Sequence, residues 1–97
     1  MIAVKAVRLR AQVEGRVQGV GFRYFVLDNA QPLDITGWVR NRWDGTVEVL
    51  AEGTKDSLET LLAAIQRGPR RHTTTEVRYD WLAATGEFTS FRIRRTE

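Results

Sequence analysis

The residues best suited to chemistry lie in Gly15–Arg23, read GRVQGVGFR, where three glycines and two arginines separate an alternating run from a helix-like one. Glycine lets backbone N–H groups turn inward with no Cβ in the way, and a helix opening near Gly21 or Phe22 adds unpaired N–H groups and a positive dipole end. The stretch reads as an anion cradle. Arg23 falls in the first helical turn, where a cation opposes the dipole at a cost of a few tenths of a kcal/mol, roughly. An anionic ligand supplies a reason for it, and a planar guanidinium fork matches phosphate. The competing reading is a turn whose glycines only supply positive φ. Neither GxGxxG nor GxxxxGK[ST] occurs, so nucleotide motifs lend no support.

Other residues offer less. The chain has no cysteine and one histidine, His72. That removes disulfides, thiolate nucleophiles, cysteine or histidine metal clusters and any histidine-based triad. His72 reads as a solvated loop residue, and the basic run Arg67, Arg70, Arg71, His72 as a solvated face. Asp28 and Asp34 lie on either side of Pro32, a spacing that argues against a shared carboxylate site. Trp38 and Trp43 lie close enough to Asn41 in sequence to shape a pocket mouth. The alternative packs Trp38 on the sheet and exposes Trp43 at a hairpin.

Ninety-seven residues suffice for one domain over 1–97, burying about 60–65% of the extended-chain surface without staples. Fifteen Lys and Arg against 12 Asp and Glu give a formal charge of +3. Anionic partners are favoured, but the bias is weaker than that of a dedicated nucleic-acid binder. Met1–Val7 carries Lys5 and too few apolar residues for a signal sequence or membrane span, so a soluble, cytoplasmic protein with no membrane partner is expected.

The elements that position the cradle follow in order. Val7, Leu9, Ala11 and Val13 alternate with Arg8, Arg10, Gln12 and Glu14, the period of a half-buried strand. Phe22, Phe25, Val26, Ala30 and Leu33 recur at helical spacing, and Pro32 ends that helix near Asn29–Gln31 by clashing with the Asp28 carbonyl. Ile35–Arg40 and Thr46–Glu52 read as strands joined by a hairpin at Asp44–Gly45. Thr54 caps a second helix, with Leu58, Leu61, Leu62 and Ile65 on one face and Arg67, Gly68 and Pro69 closing it. Val77, Tyr79 and Trp81 mark a fourth strand, and Phe91 and Ile93 a last one after a turn at Thr85–Gly86. There is no repeat or linker.

The order βαββαβ plus one strand predicts an α+β, ferredoxin-like sandwich with an additional C-terminal strand: an antiparallel sheet, strands one and two running parallel with strand three between them, and two helices on one face. The C-terminal ends of strands one and two then lie on one sheet edge, roughly 10 Å apart. The glycine loop leaves the first end and Asn41 stands at the second, where its amide could reach the far side of a phosphate held by the loop. Asn41 as a plain turn residue before the hairpin is the alternative.

GRVQGVGFR, followed by Thr36–Gly37–Trp38–Val39–Arg40–Asn41 and Asp44–Gly45–Thr46–Val47, resembles acylphosphatase. The likeness extends to Ala51–Glu52–Gly53, Gly68–Pro69, the strand ending in Trp81, and Phe91–Arg92–Ile93–Arg94. It implies hydrolysis of the carboxyl–phosphate bond of small acyl phosphates on the fold inferred above, with no metal and no cofactor. It also implies that Arg23 binds phosphate and Asn41 orients the attacking water. The backbone of Gly15, Arg16, Val17, Gln18, Gly19 and Val20 would complete the cradle. Inorganic phosphate would be product and inhibitor, and a monomer is expected. The chain departs from the family at Pro32–Leu33–Asp34–Ile35, where relatives carry a Leu–Gly–Leu-like helix exit, and at the polar His72–Thr75.

The chemistry agrees. An acyl phosphate leaves as a stable carboxylate, so no general acid is required, and phosphoryl transfer needs mainly charge stabilisation and a positioned water. Two other readings stand beside this one. An RNA-binding module on the same fold would want aromatics on its third strand, and Thr46–Glu52 has none. A non-catalytic accessory domain of a larger carbamoyl-transfer maturation protein would share the fold, but a chain ending soon after its last strand favours the free enzyme, as do Arg23 and Asn41.

Overall fold

The computed structural model describes residues 5–19, 21–69 and 74–97. Strand β1 (Ala6–Gly15) keeps the alternation of its sequence, burying Leu9, Ala11 and Val13 while Arg8, Arg10 and Gln12 turn to the opposite face. Strand β3 (Val47–Thr54) runs antiparallel to β1 and to β2 (Thr36–Asn41). Hence β1 and β2 are parallel with β3 between them. β4 (Thr74–Ala83) pairs with the outer edge of β1, and β5 (Phe91–Ile93) lies parallel to β2, in the order β4-β1-β3-β2-β5. Helices α1 (Phe22–Ala30) and α2 (Lys55–Arg67) pack on the apolar face. The fold is the ferredoxin-like α+β arrangement with an extra C-terminal strand, and the parallel β2–β5 pair makes the expected antiparallel sheet a mixed one.

One apolar cluster joins the layers: Phe22 and Val26 of α1 and Leu58, Leu61 and Ile65 of α2 meet Leu9, Val13, Val39, Val47 and Val49 of the sheet. Each such side chain stabilises by about 1.5–3 kcal/mol relative to exposure, so these positions decide which face the helices cover. Helix α2 begins where the Thr54 hydroxyl accepts the Ser57 N–H at 3.2 Å, a cap worth about 1 kcal/mol. It ends with the Gly68 N–H on the Ala64 carbonyl at 2.9 Å.

The exit of α1 shows how the chain accommodates Pro32. The α-helix stops at Ala30 and tightens into a 3₁₀ turn over Gln31–Leu33. Asp34 then takes a left-handed conformation, φ 56°, one of the few non-glycine roles aspartate fills readily, and Ile35 enters the core. This reworks the C-terminal end of α1 and leaves its N-terminus untouched.

Gly37 is fixed by space. A Cβ there would lie 1.9 Å from the Leu50 carbonyl oxygen, so only glycine lets β2 lie this close to β3. On the open face, the segment leading from β4 to β5 is fastened to a buried carboxylate. Glu52 accepts the Arg8 guanidinium at 2.7 Å, the Thr85 N–H at 2.8 Å and the Gly86 N–H at 2.9 Å. Among the described residues no helix is long and apolar enough to cross a membrane.

Candidate active site

The register of β1 shifts at Glu14–Gly15, and the chain leaves the sheet there into the glycine loop. Gly15, Gly19 and Gly21 have φ of 125°, 76° and 76°. At Gly19 and Gly21 a Cβ would touch nothing, so backbone conformation rather than crowding demands glycine. Val17 points inward and is 1% exposed, anchoring the middle of the loop in the core. Arg16 is exposed and Gln18 half-buried; Val20 lies outside the described residues.

Gly21 is the left-handed N-cap of α1, and no side chain caps the helix. The Phe25 N–H reaches back to the Gly21 carbonyl at 3.0 Å. The N–H groups of the first turn, Arg23 included, lie ahead of that first bond, where a helix leaves its donors without intrahelical partners. Arg23 is half-buried. Three other arginines share that degree of burial, and each is paired: Arg8 with Glu52, and Arg40 and Arg42 with Glu48. Among the described residues, Arg23 is the one half-buried arginine with no carboxylate partner.

Asn41 ends β2 opposite Val47, which on its other side is opposite Val13 near the end of β1. By the alternation of β2 its side chain lies on the helix-covered face with Val39. Its Oδ1 is shut off from solvent and accepts no hydrogen bond from any described residue. A buried acceptor left unpaired costs about 1–3 kcal/mol, so this atom stands out against the otherwise satisfied polar groups around it. Its backbone is held firmly, with the Asn41 carbonyl accepting the Glu97 N–H at 3.2 Å.

The hairpin that follows is closed by its own side chains. The Asp44 carboxylate accepts the Thr46 hydroxyl at 2.6 Å and the Thr46 N–H at 3.0 Å. These two bonds, the hydroxyl's first, hold its carboxyl below the ordinary range. A long-range tie joins this hairpin to the loop: the Gln18 side-chain amide donates to the carbonyls of Arg42 at 2.7 Å and Thr46 at 2.8 Å. The ends of β1 and β2 are thus bridged by a side chain. The sequence signals only a backbone role for Gln18, because nothing local marks contacts 24 and 28 residues away.

The remaining candidates fall away from the site. Trp38 sits on the opposite face of β2 from Asn41, with the guanidinium carbons of Arg40 and Arg94 at 4.6 Å and 4.9 Å from its ring centre. Trp43 is 83% exposed at the hairpin, so the two tryptophans do not frame a mouth around Asn41. Arg67 is exposed, and Arg70, Arg71 and His72 lie outside the described residues. A cleft of about 390 Å³ opens beside Trp38, Phe88 and Arg92, remote from the glycine loop along β2. Uncapped N–H groups and an unpaired guanidinium suit a small anion better than that open cleft does.

Fold and loop define a ferredoxin-like α+β domain with a glycine loop between its first strand and first helix. Residues 9–93 match the acylphosphatase family model. The chain is 50% identical over 88 residues to the acylphosphatase of Salinibacter ruber, covering 91% of this chain and 93% of that one. It is 50% identical over 84 residues to the acylphosphatase of Bacillus licheniformis, covering 87% and 93%. The crystal structure of acylphosphatase from Bacillus subtilis superposes with a TM-score of 0.86 at 39% identity, covering 91% of this chain and 98% of that chain. The chain belongs to the acylphosphatase family.

Proposed function

We propose that this protein hydrolyses acyl phosphates to a carboxylate and inorganic phosphate, with Arg23 and the Gly15–Val20 backbone holding the phosphoryl group and Asn41 orienting the water. The observation that carries the reading is the place of Asn41 at the end of β2, at the same end of the sheet as the glycine loop, with the Gln18 side chain tying that loop to the residue after Asn41. An amide can hydrogen-bond a water and so aim the water's lone pair at phosphorus. It cannot deprotonate that water.

In the proposed step the water oxygen forms a bond to phosphorus while the bond from phosphorus to the acyl oxygen breaks. Its electron pair leaves with the carboxylate. One water proton passes to a phosphoryl oxygen, so no side-chain base is consumed. Arg23 and the loop N–H groups stabilise charge on the phosphoryl oxygens, and the rest of the acceleration is positioning. Carboxylates are weak bases of pKa about 4, and so leave without a general acid. We further propose that residues 1–97 form one domain that acts as a monomer in the cytoplasm. The open sheet face, with Glu48 and Glu52 paired to arginines, offers little to an RNA backbone.

The test is release of phosphate from acetyl phosphate by the purified protein, with and without a metal chelator. Chelator-insensitive turnover supports the reading. A rate no higher than the spontaneous hydrolysis would overturn it.

A further inference from the structure

We infer that the Gln18 side chain is a positioning residue that sets the distance between the phosphate cradle and the water held by Asn41. The inference rests on the reading of Asn41 just given. Gln18 lies between Val17, whose side chain is buried in the core, and Gly19, whose φ is 76°. Its amide nitrogen has two N–H donors, and both are used, on the Arg42 and Thr46 carbonyls at 2.7 and 2.8 Å.

Those carbonyls do not depend on Gln18 for satisfaction. The Thr46 carbonyl already accepts the Arg42 N–H at 2.8 Å, and the Arg42 carbonyl already accepts the Gly45 N–H at 3.1 Å. Gln18 therefore fills second lone pairs of a hairpin that closes by itself. The hairpin gains little from it, whereas the loop gains a fixed address. Arg42 directly follows Asn41, so the tie fastens the middle of the proposed phosphate loop to the residue next to the proposed water-holding group. Near-attack geometry is sensitive to shifts of about 1 Å, which can cost on the order of 10²-fold in rate. A side-chain bridge of this kind removes that freedom.

The experiment is a cycle of Gln18→Met, Asn41→Ala and the double variant, reading kcat for acetyl phosphate and Ki for inorganic phosphate. Methionine keeps the length of the side chain and removes both donors. Gln18→Met is expected to lower kcat at least about tenfold, with Ki changed no more than about threefold, the split expected when positioning is lost and ground-state binding kept. In the Asn41→Ala background the same change should cost less than about threefold, because the two groups act as a unit. Gln18→Glu, whose carboxylate would face two carbonyl oxygens with no proton to give, should be slower still. Should the methionine variant fail to fold, Gln18→Ala carries the same comparison.

An equal loss in both backgrounds, or a rise in Ki matching the fall in kcat, would overturn the inference and leave Gln18 as part of the phosphate cradle. So would unchanged kcat in Gln18→Met. A near-normal kcat in Asn41→Ala alone would instead overturn the reading of Asn41, which separates the two failures.

Discussion

Asn41 and Val13 stand at the same level of the sheet on either side of Val47, which pairs with both. Two strand spacings, roughly 10 Å, separate them. The glycine loop starts two residues past Val13, and its Gln18 reaches back to the residue after Asn41. The end of β2 that carries Asn41 and the loop that leads to α1 and Arg23 are thus tied together. Each role proposed for these residues has a measurable consequence.

Arg23→Gln is expected to lose phosphate binding and turnover together, because the cradle loses the only half-buried guanidinium that no carboxylate neutralises among the described residues. Inorganic phosphate at about 100 times its Kd should stabilise the wild type by about 2.7 kcal/mol. The check is the urea midpoint with and without phosphate. A shift of wild-type size in the variant would move the site elsewhere.

Substrate class should be sharply limited. Acyl phosphates are expected to turn over at any chelator concentration, and alkyl phosphate monoesters not at all, since an alkoxide leaving group needs a proton or a metal. Among the described residues no three His, Cys, Asp or Glu side chains gather to hold a metal, and the chain has one histidine and no cysteine. Parallel phosphate-release assays on acetyl phosphate and an alkyl phosphate decide it, and rapid monoester turnover would refute the mechanism.

Much of this architecture is legible in the sequence. The alternation of β1, the Leu58, Leu61, Leu62, Ile65 stripe with its Thr54 cap, and the Asp44–Gly45 turn all signal locally, and local rules suffice for them. Boundaries extend further than the patterns: β4 begins at Thr74 and runs to Ala83, past the Val77–Trp81 core, because an edge strand needs few apolar residues to pair. The exit of α1 needed the structure, since a 3₁₀ turn and a left-handed Asp34 do the work that relatives assign to glycine. At the site, the glycines and Arg23 announce an anion. The role of Asn41 came from resemblance, and the Gln18 bridge and Glu52 network were not legible, because each joins residues distant in sequence.

Gly37→Ala tests the strand contact that places Asn41. With a Cβ 1.9 Å from the Leu50 carbonyl and φ of +132°, the variant must distort β2 or its pairing. A loss of at least about 3 kcal/mol is expected, the range of severe backbone strain. Urea unfolding measures it, and a midpoint close to that of the wild type would contradict so close an approach of β2 to β3.

Glu52 makes stability depend on pH. Burial pushes its carboxyl up, but the N–H groups of Thr85 and Gly86, then Arg8 and the Thr85 hydroxyl, outweigh burial and hold it below its ordinary value of 4.5. A lowered folded pKa means stability that is complete above the unfolded pKa and lost as pH falls through the folded one. The advantage of wild type over Glu52→Gln should be greatest near neutral pH and shrink below about 4.5. Urea midpoints of both proteins across that window check it, and a constant difference would contradict it.

The most direct measurement compares kcat for acetyl phosphate with Ki for inorganic phosphate in wild type, Asn41→Ala and Asn41→Asp. If Asn41 holds the water while Arg23 and the loop hold phosphate, the alanine variant should lose about 10²-fold in kcat and keep Ki within a few-fold. Aspartate should not rescue it, because its carboxylate would repel phosphate and pair with Arg23. Near-normal kcat in Asn41→Ala would contradict the account, returning Asn41 to a turn residue and leaving water positioning to another group.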